Sequence, residues 1–164
     1  MEEKSKMLKI SDLKDKQQYI KEVANLTQQE WGSKAKTKEE QQRKLMRKIE
    51  KIKQNFNHPY YCTLLLLNNE KLIGFISIFE KDCEERKELF PWYATMYVKK
   101  EYRGKGYSRI LNDAILQEAK RRKIKRIYLK TTLENYYEKF GARYLETLDN
   151  GEKIYYFDLD GMIK

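Results

Sequence analysis

The stretch Val98-Lys-Lys-Glu-Tyr-Arg-Gly-Lys-Gly-Tyr-Ser-Arg-Ile-Leu111 decides the fold of this chain. It is typical of a strand end, then a tight turn rich in glycine and positive charge, then the start of an amphipathic helix. Such a turn points several backbone N–H groups into one small space at the positive end of a helix dipole, which favours a phosphate or pyrophosphate. Arg103, Gly104, Lys105 and Gly106 form the opening, and Gly106 lets the backbone approach a bulky anion because it has no Cβ.

Two common phosphate-binding motifs do not match this turn. No Gly-Lys-Ser/Thr follows at P-loop spacing, and Arg109 stands where the dinucleotide fingerprint has its third glycine. The spacing Arg103-x-x-Gly106-x-Ser108 instead resembles the Arg/Gln-x-x-Gly-x-Gly/Ala signature of the GCN5-related N-acetyltransferases, the GNAT family. In that family the loop holds the pyrophosphate of acetyl-CoA. Taken alone, the motif also fits a charged turn without a ligand.

The composition indicates one globular domain with a very polar surface. Of the 164 residues, 40% are hydrophobic and 37% are charged, and this length suits a single domain over 1–164. The longest apolar run, Leu64 to Leu67, is too short to cross a bilayer, and the first six residues lack the apolar core of an export signal. Two cysteines, Cys62 and Cys83, make no disulfide framework, so we expect a cytoplasmic protein without a membrane partner.

The net charge of +10 is concentrated at 34–53, 99–105 and 120–130. The last of these segments has seven basic residues and no acid. Such runs track a nucleic-acid backbone, attract an anionic cofactor or solvate helix faces. Nothing resembles a zinc module or an RNA-recognition sheet, so a nucleic-acid partner rests on charge alone and is not favoured. His58, the only histidine, precedes Pro59 in a turn and is interpreted as structural, so no metal site is predicted.

Hydrophobic periodicity predicts the order of the elements. The predicted elements are a strand at 7–10, a helix at 15–31, a helix that follows a capping box of Thr37 and Glu40, a hairpin of 60–67 and 72–79, a strand at 90–98, a helix at 106–123, a strand at 126–130, a short helix at 134–140 and a hairpin of 142–148 and 152–159. This order resembles the GNAT layout over essentially the whole chain. The resemblance implies an α/β (α+β) fold whose mixed, mostly antiparallel sheet has six to seven strands, about four flanking helices and a splay between the fourth and fifth strands.

The resemblance also implies which residues bind acetyl-CoA as co-substrate. The backbone of Met96, Tyr97 and Val98 falls where the family binds the acetyl carbonyl and the pantetheine arm, and the N–H of Met96 or its neighbour would polarise the carbonyl. The side chains of these residues also fit ordinary packing. The other implied contacts are Arg103, Gly104, Lys105, Gly106, Tyr107, Ser108, Asn135 and Lys139.

A second motif carries the candidate acid. The segment Leu129 to Ala142 resembles the family's downstream segment, in which an Asn precedes a Tyr-Glu-Lys-x-Gly run. Tyr136 and Phe140 lie four residues apart and are interpreted as core contacts, which leaves Tyr137 to point elsewhere. In the family, the tyrosine at this place lies near the thioester sulfur as general acid. A phenol has a pKa close to that of a thiol, so it would protonate the leaving sulfur without a large energy gap.

The general base and the acceptor site are less defined. Histone-type members carry a Glu eleven residues before the signature Arg, and that position is Trp92 in this chain. The nearest carboxylates in sequence are Glu80 and Glu88, and each either acts as base through water or is a solvated charge at a strand edge. Trp92 and Tyr93 either line an acceptor pocket or are buried aromatics.

Two residues depart from the family pattern. Ser108 replaces the usual Gly/Ala, and its hydroxyl either donates to a phosphate or crowds it. Ala142 replaces the aromatic residue usual after the final glycine, which would leave more room on the acceptor side.

Together these features predict an acetyl-CoA-dependent N-acetyltransferase that acts on a primary amine, either a small molecule or part of a peptide. A non-catalytic acyl-CoA-binding module of the same fold and a basic nucleic-acid-binding protein are the alternatives. A cationic acceptor such as a polyamine is not favoured by the charge of +10, unless an acidic pocket of Glu80, Glu84, Glu85 and Glu88 overrides it. The fold allows a homodimer through an edge strand, although no residue specifies one.

Overall fold

The computed structural model of the chain describes residues 7–160. The described elements are β1 (Leu8–Asp12), α1 (Ile20–Trp31), α2 (Lys38–Gln54), β2 (Cys62–Asn68), β3 (Lys71–Phe79), β4 (Trp92–Val98), α3 (Tyr107–Arg121), β5 (Arg126–Thr131), β6 (Arg143–Thr147) and β7 (Lys153–Asp158). The strands form one sheet in the order β1-β2-β3-β4-β5-β7-β6, with β4 and β5 parallel and the other described pairs antiparallel. The predicted α+β fold with a mixed, mostly antiparallel sheet is therefore confirmed. The ends of the predicted 1–164 domain, including the first six residues, lie outside the described part.

The helices differ from the prediction at two places. The predicted helix at 15–31 begins as two 3₁₀ turns and becomes α-helical only at Ile20. The predicted short helix at 134–140 is a 3₁₀ turn, Tyr137–Phe140, which Gly141 ends with a φ of 99°. A residue with positive φ at this position is a common way to end a helical turn. The described chain therefore has three α-helices where about four helices were expected.

The sheet separates two hydrophobic layers, because successive side chains of a strand point to opposite faces. On β2, Leu64 and Leu66 pack in the layer under α3, whereas Leu65 and Leu67 pack in the layer under α1 and α2. All four leucines are at most 5% exposed. The apolar run that the sequence analysis interpreted as a buried strand is thus a strand buried on both faces.

Strand β4 leaves β5 soon after the two strands meet. The described pairing between them is at Trp92 and Tyr128, and the N–H of Tyr128 donates to the Pro91 carbonyl at 3.1 Å. Along its other edge, β4 stays paired with β3 as far as Val98. Beyond Trp92, the edge of β4 that faces β5 therefore has no strand partner among residues 7–160. This confirms the predicted splay between the fourth and fifth strands.

A β-bulge interrupts β4 in the middle of the splayed region. The register with β3 shifts between the pairs Ser77–Ala94 and Phe75–Tyr97, and Thr95 has a φ of 49°. A positive φ is uncommon for a β-branched residue and is found where surrounding structure holds the backbone in place. A bulge also turns the strand and redirects its neighbouring groups. The sequence carries no signal for this bulge, because threonine is an ordinary strand residue.

The start of α2 gives a stability prediction. Thr37 caps the helix, since its Oγ1 accepts from the Glu40 N–H at 3.0 Å. In a capping box, the Glu40 carboxylate would accept from the N–H of the capping residue, Thr37. Here it accepts instead from the N–H of Lys36, one residue earlier. We expect Thr37→Ala to lower the free energy of unfolding by about 1 kcal/mol, measured by urea denaturation. Thr37→Ser keeps the hydroxyl and is the control; an equal loss in both variants would contradict the capping role.

Candidate active site

The glycine turn opens directly onto the N-terminus of α3. Gly104 and Gly106 have φ values of 78° and 82°, in the left-handed region where glycine is favoured. Gly106 precedes the first residue of this 15-residue helix, and no side chain among residues 7–160 caps it. The first N–H groups of a helix lack partners within the helix, so here they face the space above the turn. A Cβ built at either glycine meets no atom of the described part of the chain within 4 Å, so that space is open there.

The side chains around the turn are mostly exposed and basic. Arg103 and Lys105 are exposed, and Ser108 is half-buried in the first turn of α3. The Arg103 Nε donates to the Val98 carbonyl at 2.8 Å, and its guanidinium lies 5.5 Å from the centre of the Tyr97 ring. Positive charge therefore lies beside the first N–H groups of α3, an arrangement that favours a pyrophosphate. Tyr107 is buried in the core at 7% exposure, so only its backbone faces the turn.

The segment that follows β5 folds back against α3. Asn135 is exposed and has a φ of 58°, and the Lys139 Nζ lies 4.0 Å from the centre of the Tyr136 ring. Arg109 of α3 contacts the segment through its guanidinium, which lies 4.9 Å from the centre of the Phe140 ring. The downstream motif and the glycine turn thus lie on neighbouring elements, although they are separated in sequence.

Tyr137 packs within a group of aromatic rings. Its ring lies edge-on to Tyr93 at 5.9 Å and to Tyr136 at 4.8 Å, and it also contacts Phe140 at 6.3 Å. Tyr136 contacts Phe140 as expected, at 5.8 Å. The prediction that Tyr137 points away from Tyr136 and Phe140 is wrong, since the 3₁₀ geometry brings all three rings together. The ring of Tyr137 is consequently held in one orientation.

The hydroxyl of Tyr137 is protonated and available. Burial, with a smaller contribution from Tyr136, raises the pKa of Tyr137 to about 12. Among the described residues, its hydroxyl has no hydrogen-bond partner, whereas the neighbouring Tyr93 hydroxyl donates to Asn112 Oδ1 at 2.7 Å. The rise in pKa means that the phenol is a weaker acid than the sequence analysis assumed. It also means that the group stays a neutral donor across the physiological pH range.

The β4 residues of the predicted pantetheine site divide between the two faces of the sheet. The side chains of Met96 and Val98 pack against the core under α3, and the Tyr97 ring stacks on Phe75 at 5.6 Å in the opposite layer. These side chains are therefore occupied by packing. What the splay leaves for a ligand is the backbone of β4, next to the bulge at Thr95.

A cavity of about 380 Å³ lies between the two N-terminal helices and the sheet. Its walls come from α1, α2 and strands β2 to β4, and it reaches Thr95 at the bulge. Val23, Ile52, Phe75 and Phe79 are among its apolar lining residues. The charged and ionisable side chains in its lining include Lys48, Lys51, His58, Glu80 and Lys81. The volume is that of a site for a small molecule.

His58 and Glu80 meet in this cavity. The His58 Nε2 lies 3.7 Å from Glu80 Oε1, and the His58 Nδ1 accepts from the N–H of Tyr60 at 3.0 Å. Because Nδ1 is an acceptor, the proton of the neutral imidazole is on Nε2, which faces the carboxylate. The interpretation of His58 as structural did not include this pair. No motif could have revealed it, since the two residues come from separate elements.

Other predicted acceptor residues lie elsewhere. Trp92 is fully buried and its Nε1 donates to the Leu89 carbonyl at 2.8 Å, so the buried-aromatic alternative describes it; Tyr93, at 4% exposure, is likewise buried. Glu88 is exposed and does not line the cavity. Ala142 is buried in the core under α3, away from the cavity lining.

The acidic pocket that was considered as an exception favouring a cationic acceptor does not form at the cavity. Glu84 and Glu85 lie in an exposed 3₁₀ turn, Glu84–Arg86, and neither lines the cavity. Of the four glutamates considered for that pocket, only Glu80 lines the cavity.

A mixed sheet that splays beside a glycine turn at a helix N-terminus is the architecture of one class of acyltransferase, and the comparison with known families agrees. The chain belongs to the acetyltransferase (GNAT) family, whose model matches residues 20–142. The family uses acetyl-CoA. None of the helices in residues 7–160 is long and apolar enough to cross a membrane.

Two curated relatives come from Bacillus subtilis. The chain is 33% identical over 104 residues to a probable spermine N(1)-acetyltransferase of subspecies natto, strain BEST195. It is 32% identical over 104 residues to the spermine/spermidine N(1)-acetyltransferase of strain 168. Each match covers 58% of this chain and 68% of the relative.

Solved structures agree in fold. The dodecameric spermidine N-acetyltransferase of Vibrio cholerae has a TM-score of 0.70 at 17% identity, with 96% of each chain covered. The yncA protein of Salmonella typhimurium, solved with its cofactor acetyl-CoA, has a TM-score of 0.67 at 14% identity, with 98% of each chain covered. At these identities the likeness shows the fold alone.

Proposed function

We propose that this protein transfers the acetyl group of acetyl-CoA to the primary amine of a small molecule bound in the cavity at Thr95. The observation that carries the proposal is the splay of β4 from β5, which leaves a strand edge unpaired between the glycine turn and the bulge. A pyrophosphate at the turn and a pantetheine arm along this edge would bring a thioester to the bulge. The amine would then approach from the cavity.

The residues present fit acetyl-CoA. The uncapped N-terminus of α3, with Arg103 and Lys105 beside it, suits a pyrophosphate, and the backbone of Met96, Tyr97 and Val98 suits the amide-rich arm. Tyr107 and Ser108 would contribute N–H groups to the phosphates, while Asn135 and Lys139 lie on the facing segment. When bound, acetyl-CoA supplies an activated acyl group on sulfur.

In the transfer, a bond forms between the amine nitrogen and the acetyl carbon, and the carbon–sulfur bond breaks. The amine loses a proton and the sulfur gains one. Holding the two groups together in attack geometry supplies much of the rate. An N–H of β4 at the bulge would donate to the carbonyl oxygen as negative charge develops there.

Tyr137 is proposed as the donor to the leaving sulfur. Its hydroxyl has no other partner in residues 7–160, and its ring is held by Tyr93, Tyr136 and Phe140. With the pKa of Tyr137 raised to about 12 by burial, the phenol remains neutral until the thiolate forms. It then stabilises the thiolate by donating a hydrogen bond to it.

Glu80 is proposed as the base that accepts the proton of the amine, directly or through a water molecule. It is the carboxylate that lines the cavity, and it lies next to the Nε2 of His58. The Nε2 of His58 lies 3.7 Å from Glu80 Oε1, and His58 is proposed to position the carboxylate, so it is a positioning residue in this scheme. Glu88 is not favoured as the base because it lies outside the cavity.

Titration calorimetry with acetyl-CoA tests the cofactor half of the proposal. We expect saturable binding by the wild type and about tenfold weaker binding by Arg103→Ala, the loss for one charge-assisted hydrogen bond. Arg47→Ala removes the same charge from the exposed face of α2 and is the control. Equal affinities of the two variants would mean that net charge alone attracts the ligand.

An assay for free thiol, with a panel of primary amines, tests the transfer itself. Polyamines belong in the panel because both Bacillus subtilis relatives are named for them. Binding of acetyl-CoA without turnover of any amine would favour a non-catalytic acyl-CoA-binding module. Absence of binding at millimolar acetyl-CoA would remove both of these functions and leave the basic surface, where salt-sensitive binding of nucleic acid is the remaining measurement.

A further inference from the structure

We propose that the acceptor carries an anionic group, a carboxylate or a phosphate, in addition to its amine, and that Lys48 and Lys51 bind this group in the cavity. The inference rests on the function proposed above, since it concerns the same cavity. It deepens that function by naming the class of the amine.

The lining of the cavity is electropositive. Within residues 7–160, three lysines contribute to it, Lys48 and Lys51 from α2 and Lys81 from the segment after β3, against a single carboxylate, that of Glu80. Glu80 already faces His58. The remaining ionisable side chain of the lining, Tyr61, has its pKa raised to about 12 by burial and is neutral. A polycation in this cavity would therefore face more like charge than opposite charge, which disfavours it.

Lys48 is the least exposed of these three lysines. It is half-buried, and within residues 7–160 it has no ion pair or hydrogen bond. Burial lowers the pKa of Lys48, and the charge of Lys51 adds to the effect. Lys44, one turn earlier on the same helix, is instead paired with Glu40 at 3.5 Å and with Ser33 Oγ at 2.8 Å. A half-buried ammonium without a counter-charge is partly desolvated, so an anion that enters the cavity would find a partner that no other described group occupies.

The geometry separates the two ends of an acceptor. Lys48, Lys51 and Asn55 recur at helical spacing, so they share the face of α2 that lines the cavity. The opposite wall is the sheet, where Thr95 marks the bulge. An amine that reaches the bulge would place the far end of a short molecule against α2. Val23, Ile52 and Phe75 supply apolar wall between these ends.

A matched series of amines on one hexyl chain tests the inference. Aminohexanoate carries a carboxylate, aminohexyl phosphate a phosphate, hexylamine no second charge and diaminohexane a second cation. We expect the better of the two anionic amines to exceed hexylamine by about tenfold or more in kcat/KM, as one charge-assisted contact provides, with diaminohexane last. The comparison of aminohexanoate with aminohexyl phosphate shows whether the anionic group of the acceptor is a carboxylate or a phosphate.

Variants of α2 assign the effect to residues. In the double variant Lys48→Gln/Lys51→Gln, the ratio of anionic amine to hexylamine should fall towards one. Lys53→Gln removes a charge from the same helix outside the cavity lining and should keep the wild-type ratio. Calorimetric titration of the acetylated aminohexanoate into the wild type and the double variant gives a second readout that does not depend on turnover.

The outcomes separate this inference from the proposed function. Turnover of diaminohexane or hexylamine at or above the rate of both anionic amines overturns the inference and leaves the acetyltransferase activity standing. An unchanged ratio in the double variant overturns the assignment to Lys48 and Lys51. Binding of acetyl-CoA with no turnover of any amine overturns the proposed function, and the inference falls with it.

Discussion

Replacement of Tyr137 by phenylalanine is expected to lower kcat on the order of 10²-fold, the contribution of one positioned acid–base group. The physical reason is that the leaving thiolate would lose its donor, while the ring contacts with Tyr93 and Phe140 remain in place. Because the phenol is not needed to bind the substrates, the affinity for acetyl-CoA should change little. Steady-state kinetics with a free-thiol readout and calorimetry on the same samples check both parts.

The neighbouring tyrosine provides the matched control. Tyr136 lies in the same aromatic group, and Tyr136→Phe removes a hydroxyl from the adjacent position of the chain. We expect kcat of this variant to stay within about twofold of the wild type, as for a group that makes no contact in the transition state. Equal activity of Tyr137→Phe and the wild type would exclude Tyr137 as the acid. It would also leave the protonation of the sulfur to water.

The pH profile adds an independent check on Tyr137. Since burial raises the pKa of this phenol to about 12, the group is protonated at every pH at which the enzyme is assayed. An acid that is required in its protonated form loses activity only as the pH rises through its pKa. The wild type should therefore show no fall in kcat from Tyr137 between about pH 6 and 9. A tyrosine-dependent fall within that range would contradict the buried, neutral phenol.

Replacement of Glu80 by glutamine is the second change with a large expected effect. The variant keeps the size of the side chain and its place beside His58, but it removes the group that accepts the proton of the amine. We expect kcat to fall on the order of 10²-fold with little change in the KM for acetyl-CoA. Glu88→Gln tests the other candidate base. Because Glu88 lies outside the cavity, its replacement should lower kcat by at most about twofold.

Two results would argue against this role. Full activity in Glu80→Gln would mean that the amine passes its proton directly to solvent. A large fall in Glu88→Gln alone would return the role of the base to the loop before β4. We expect His58→Gln to lower kcat less than Glu80→Gln does, because it removes the group that positions Glu80 but keeps the carboxylate.

The sequence was most informative where function depends on the local backbone. The glycine turn from Arg103 to Gly106 needs left-handed residues next to a helix start, and that requirement is visible in the residue types themselves. The alternation of strands and helices was also visible, because burial on one or both faces imposes a period on the apolar residues. The extent and type of a short element were not visible in the sequence. The segment at 134–140, predicted as a short helix, forms a 3₁₀ turn at Tyr137–Phe140.

The candidate site was only partly visible in the sequence. Tyr137 was found through its motif, but its burial was not, because the rings around it include Tyr93 from a strand more than forty positions earlier. Trp92 was open to two interpretations, and its 0% exposure selects the buried one. The acidic loop at Glu84 and Glu85 was considered as part of an acceptor pocket, yet the path of the chain carries it away from the cavity.

By itself, then, the sequence determined the family, the order of elements and the glycine turn at the start of α3, since each follows from short-range patterns of residue type. The tertiary structure alone decided which side chains line the same cavity. Glu80 and His58 lie next to each other there, and Lys48 of α2 lines the same cavity. The bulge at Thr95 belongs with these, because the shift in register between β3 and β4 is a property of the pair of strands. Side chains that meet through packing have no characteristic spacing in the sequence, whereas a turn or a helix start has a local pattern of residue types.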